Sequence, residues 1–150
     1  MRRSAVTFVL LIAIVCASPL SAAESTATLL GKWRGSYSCL QGHTGLLLTI
    51  EDAVGDVFTG EFAFFPLAEN PKVPKGRFAV AGIFNSASGG VAVKGVYWIE
   101  QPNNYVMVDL SGTLSSDGRS IDGQVEFTGC TSFHVTLEEG AHRSTKAKGS

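Results

Sequence analysis

Three histidines, a scatter of hydroxyls and two widely spaced cysteines carry most of the chemistry available to this 150-residue chain. His142 falls in a basic C-terminal stretch, and His134 sits on the outward side of an alternating run. His43 is different. It lies in Gln41-Gly42-His43-Thr44-Gly45, between two alternating runs, with Ser36, Ser38 and Thr44 close by. An imidazole beside a hydroxyl can take its proton and make it a nucleophile. No nucleophile elbow or oxyanion motif accompanies it, however. Nor does the sequence hold H-E-x-x-H, paired cysteine clusters or an acidic calcium loop, so no metal and no cofactor is expected. Glu51-Asp52 and Glu138-Glu139 read as solvated charge at strand ends. The expectation is a protein without catalysis; a hydrolase using His43 is the alternative.

The first residues set the compartment in which that chemistry must work. Arg2 and Arg3 precede an uncharged run from Ala5 to Ala17, and Ser21-Ala22-Ala23 offers small residues to a signal peptidase. That is the secretory pattern, with cleavage expected after Ala23. The run is shorter than the ~20 apolar residues of a membrane span. Val15 before Cys16 argues against a lipoprotein signal. Residues 1–23 are therefore read as a signal peptide, 24–140 as the folded domain, and 141–150 as a disordered basic tail. Once the leader is removed, the twelve basic residues fall to ten against thirteen acidic ones. A mildly acidic surface excludes a typical nucleic-acid binder, which shows a basic face. The destination is the periplasm or the exterior, with no transmembrane segment left after cleavage.

Cys39 and Cys130 remain in the exported chain, and such a pair reads as a disulfide. What lies between them has a period of two. Strands are expected over Lys32–Cys39, Gly45–Glu51, Asp56–Phe65, Gly76–Phe84, Val91–Ile99, Tyr105–Leu114, Ser120–Phe127 and Phe133–Leu137. Thr26–Leu30 is the one stretch suited to a short helical lead-in. The joints Asp52 to Gly55, Asn85 to Gly90 and Ser115 to Gly118 are turn-like. Glycines inside most strands, such as Gly35, Gly60 and Gly82, suit the bends of a closing sheet. In an eight-stranded up-and-down barrel, the end of the first strand lies beside the start of the last. Cys39 and Cys130 occupy those two places. The predicted fold is a single antiparallel up-and-down β-barrel, closed by this disulfide.

A meander gathers alternate loops at one end. The richer end is expected to hold His43, Thr44, Glu69, Asn70, Lys72, Gln101, Asn103 and Asn104. Function tends to sit on long loops carried by a rigid scaffold, so these eight form the candidate ligand-binding set. The inward set is expected to include Trp33, Tyr37, Phe58, Phe62, Phe64, Phe78, Phe84, Tyr97 and Phe127. That aromatic load favours a filled lumen over a roomy one. Across the fifth and sixth strands, Val96, Trp98, Tyr105 and Met107 are expected outside, as a stabilising cross-strand cluster or a possible interface in a monomer or weak dimer.

The segments GKWRGSYSCLQGHTGLLLTI, FAFFPLAENPKVPKGRF, YWIEQPNNYVMVDLSGTL and FTGCTSF resemble a small secreted bacterial β-barrel domain of unknown function. Its pattern is W-x-G-x-Y-x-C-x-Q-G-x-T-G-L with a late Gly-Cys. More distantly, the Gly31-Lys32-Trp33 start resembles lipocalins and avidins. The first resemblance implies no activity; the second implies a ligand-binding barrel. The sequence reading is thus a binding module of the bacterial envelope or exterior, for an unknown small molecule or protein. The alternatives are an inhibitor of a hydrolase such as a lytic enzyme, or a lipocalin-like carrier of a small apolar ligand.

Overall fold

The computed structural model describes residues 26–138. The expected signal peptide, 1–23, and the expected tail, 141–150, lie outside those residues. Eight strands run in chain order: β1 (Gly31–Cys39), β2 (Gly42–Val54), β3 (Val57–Phe65), β4 (Gly76–Asn85), β5 (Gly90–Glu100), β6 (Asp109–Leu114), β7 (Ser120–Glu126) and β8 (Ser132–Leu137). Each pairs antiparallel with the next, and β8 returns to β1, so the sheet closes into an up-and-down barrel. Closure removes the free edges that an open sheet would leave. The seam runs from Trp33↔Leu137 to Tyr37↔Phe133. It is extended by Thr131 N–H donating to Ser38 O and Glu138 N–H donating to Lys32 O. Arg34 pairs with Glu138 across it, and the Cys39–Cys130 disulfide bolts its upper end. Among the described residues, no helix is long and apolar enough to cross a membrane.

The two ends of the cylinder differ. At the short-turn end the 3-10 turn Ala27–Leu29 tucks under the barrel. Leu29 and Trp33 are fully buried there, and Trp33 Nε1–H donates to Leu29 O at 2.8 Å. Phe58, Ile50, Ile121 and Val135 complete this plug, each at most 2% exposed. Gly82 makes room for it: a Cβ there would stand 2.2 Å from the Phe58 ring. The long-loop end, carrying the segments after β1, β3, β5 and β7, is less completely filled.

Three local details depart from the sequence expectation, each for a physical reason. β2 starts at Gly42, not Gly45, because Leu40-Gln41 makes a two-residue turn and Gly42 takes φ 92°, where a side chain would strain. His43 and Thr44 are therefore strand residues. β6 starts at Asp109, not Tyr105, since the Asp109 carboxylate accepts the Gly95 N–H at 3.0 Å in place of a backbone carbonyl. Residues 101–108 form a loop instead. The third detail is in β5. Val80 pairs with Gly95 but Ala79 pairs with Tyr97, so Val96 is an extra residue. A bulge of this kind reverses the faces beyond it. Tyr97, expected inside, is outside with 61% exposure; Ile99, the extra residue of a second shift between Phe78↔Trp98 and Arg77↔Glu100, is exposed too. Trp98, expected outside, turns in against the core. Phe127, also expected inside, follows the last residue of β7 and is 45% exposed. The other seven expected inward aromatics are buried.

Candidate functional site

Alternation along β1, β3 and β4 points Tyr37, Phe64 and Phe78 into the long-loop end of the lumen. Phe78 stacks on Phe62 at 4.6 Å, and Tyr37 meets Phe62 edge-on at 5.4 Å. Trp98 closes edge-on against Phe78 at 5.2 Å, and Tyr105 stacks on Phe64 at 5.2 Å. These rings form a floor, and the lumen stays open above it. A cleft of about 330 Å³ is lined by Tyr37, Phe64, Phe78, Tyr105, Val108 and the Cys39–Cys130 bridge. Leu40, Val106 and Phe127 form its lip, with Leu40 82% exposed. Polar groups are few: Gln41 Nε2–H donates to the Tyr37 hydroxyl at 3.0 Å, and Asn104 stands at the edge. Burial pushes the Tyr37 phenol well above its ordinary pKa, and the nearby Tyr105 adds to that. Tyr37 is thus neutral at any physiological pH, and the cleft carries no charge from it.

The eight residues proposed from sequence do not act as one set. Thr44 is fully buried, with its hydroxyl donating to Gly42 O, so it offers nothing at the surface. Asn70 is a strut: its Nδ2 donates to Gln41 O at 2.8 Å and to His43 O at 3.0 Å, tying the β3–β4 loop to β2. Gln101 Nε2–H donates to Tyr105 O at 3.0 Å and holds the long loop in shape. Lys72 and Asn103 are exposed loop residues. Asn104, exposed and at φ 64°, uses the left-handed conformation that asparagine tolerates. His43 and Glu69 pair at 2.9 Å on the outside of the barrel. Of the four residues expected on the outer β5–β6 face, only Val96 is exposed. Trp98, Tyr105 and Met107 pack against the core. Beside Val96 in the chain, Tyr97 and Ile99 also face water.

A second concavity lies on the outer surface over β1, β7 and β8. It spans about 430 Å³, and its walls are polar: Ser36, Ser38, His43, Gln124, Ser132 and His134 among them. The sequence brings Ser36 near His43 and places Glu69 at the same end of the barrel as His43, but it gives no reason to set His134 beside them. Among the described residues no group of three or more His, Cys, Asp or Glu side chains is arranged to hold a metal ion.

No family model matches the chain, and comparison with curated proteins finds no relative.

Proposed function

We propose that this chain is an exported binding protein whose barrel mouth takes up an apolar group. The supporting observation is the cleft itself. A fully closed core would have continued the plug of the other end; here aromatic rings stop short and leave about 330 Å³ under a lip of exposed Leu40, Val106 and Phe127. That volume sits at the small end of the range for ligand sites, roughly 300–1,000 Å³. It suits a molecule of one or two rings, or the short apolar portion of something larger. Asn103, Asn104 and Lys72 stand around the same end and can hydrogen-bond a polar part left outside. This reading favours the carrier among the sequence alternatives. The leader and the disulfide support export to the periplasm or the exterior, and the protein is expected to work as a monomer or weak dimer.

The test is twofold. Native mass spectrometry of the exported, disulfide-bonded protein is expected to show a bound small molecule. After stripping, the environment-sensitive dye N-phenyl-1-naphthylamine is expected to bind saturably and brighten. Leu40→Asp with Val106→Asp is expected to weaken dye binding by at least about tenfold, since withdrawing two aliphatic side chains from contact costs more than about 1.4 kcal/mol. No saturable binding, or equal affinity in the double variant, overturns the reading.

A further inference from the structure

The outer groove, which is separate from the mouth cleft, holds a constellation that neither the fold nor the binding reading uses. Ser36, halfway along β1, directs its Oγ outward, and His43 on β2 reaches back to it with Nε2···Oγ at 2.7 Å. His43 Nδ1 lies 2.9 Å from Glu69 Oε1. Glu69 is held below the usual carboxylate range, first by its own backbone N–H and then by the His43 hydrogen bond. A carboxylate only accepts, so Nδ1–H must donate to it. That leaves the Nε2 lone pair to accept from the Ser36 hydroxyl, the tautomer a general base needs. Asn70 sets the geometry: by gripping Gln41 O and His43 O it fixes the loop that carries Glu69.

On the other side of β1, His134 is the direct cross-strand neighbour of Ser36. The approach of β8 is close, because a Cβ on Gly35 would stand 1.9 Å from His134 O. His134 Nδ1 is 2.5 Å from Asp122 Oδ1. Its Nδ1–H therefore donates to Asp122, and when the ring is protonated Nε2–H is a second donor, lining the same groove as Ser36.

We propose that Ser36 is an activated nucleophile for acyl transfer, with His43 as its base, Glu69 as the positioning residue, and the His134 ring as the donor to the developing oxyanion. The substrate class is a small carboxylic ester with a short polar acyl group, in keeping with walls of Ser38, Gln124 and Ser132. Strand amides are consumed in the ladders on both sides of Ser36, so the oxyanion donor must be a side chain. In the forward step the Ser36 Oγ–C bond forms as its proton passes to His43 Nε2, and the carbonyl π pair moves to oxygen. Collapse reforms C=O and breaks the C–O bond to the alcohol, which leaves with the proton from His43. Water then repeats the sequence, releasing the carboxylic acid and restoring Ser36.

The experiment uses the exported, disulfide-bonded protein with a fluorophosphonate probe and with p-nitrophenyl acetate. A single adduct on Ser36 is expected by peptide mass spectrometry, absent in Ser36→Ala. His43→Gln is expected to slow labelling by roughly 100-fold or more. His134→Ala is expected to slow labelling as well, because a donor to the developing oxyanion is lost. All three side chains lie at the surface or half-buried, so melting curves of the variants are expected to match the parent. No adduct above the Ser36→Ala background, or a labelling rate indifferent to His43→Gln, overturns the proposal.

Discussion

The two ends of this barrel are made from the same eight strands, yet one is sealed and the other is not. At the short-turn end, Leu29 and Trp33 enter from below and meet Phe58, Ile50 and Ile121, leaving no residue of that group more than 2% exposed. At the long-loop end, Phe64, Phe78, Trp98 and Tyr105 pack on one another, while Leu40, Val106 and Phe127 stay at the rim in water. A chain that can bury tryptophan and leucine at one end has no general difficulty in burying apolar groups. The open end therefore calls for a different account. Chain connectivity supplies part of it: tight turns bring core residues close to the axis, whereas residues 101–108 form no ladder with β5, where the Asp109 carboxylate takes the Gly95 amide. The sealed end carries stability, and the open end is where apolar surface is kept available.

That contrast can be broken or sharpened by experiment. The largest effect is expected from the element that holds the open end shut as a ring. Replacing Cys39 and Cys130 by serine releases a loop whose ends are 91 residues apart, a loss of about 4–5 kcal/mol in the chain-entropy description. Denaturant unfolding with and without reductant measures it. A comparable loss from reducing the mature protein alone would localise the effect to the bond. Next, Phe58→Ala at the sealed end is expected to cost about 3–5 kcal/mol through the cavity it leaves. Phe127→Ala at the open lip is expected to change stability by no more than about 0.5 kcal/mol, while weakening dye binding. Equal destabilisation by the two would erase the distinction between the ends.

A smaller effect comes from Tyr37, which lines the open end. Its ionisation is suppressed by burial. A group whose folded pKa is raised keeps its full contribution below the unfolded value, and that contribution is lost as pH rises. Stability is therefore expected to fall above about pH 10, where the unfolded phenol ionises, and Tyr37→Phe is expected to flatten that alkaline fall. Parallel pH profiles of the unfolding midpoint decide it. The smallest effect is at the short turn after β6. Asp117, held below its usual range by the Ser115 hydroxyl and the Arg119 amide, contributes above the unfolded Asp value and loses that contribution in acid. Asp117→Ala is expected to shift the midpoint only slightly at neutral pH, with the difference from the parent vanishing as the solution is acidified through the carboxylate range.

The outer groove shows how far sequence reading reaches toward a site. Ser36 and His43 were visible together because a hairpin brings them close, Ser38 pairing with His43 across its two strands. Glu69, 26 residues from His43, was expected only at the same end of the barrel, and the Asn70 strut with the return of the β3–β4 loop sets it against the imidazole. His134 reaches Ser36 through closure of β8 on β1, a contact between opposite ends of the chain. The mouth cleft was less legible still. The Phe78 ring that lines it is backed by Trp98, which alternation assigned to the outside, and its lip includes Phe127, which alternation assigned to the inside.

What the sequence by itself determined is the period-two pattern, the places where the chain turns, and the cysteine pair that joins the first strand to the approach of the last. Those are local facts, or consequences of counting strands, since alternate side chains on an extended chain point to opposite faces whatever their partners are. The tertiary structure alone decided the inversion of β5 after Val96, the shortening of β6 and the meeting of Ser36 with His134. Each depends on a neighbour strand that no local window contains. A single extra residue between hydrogen-bonded partners shifts every face beyond it, and whether that residue is accommodated is settled by packing across the barrel.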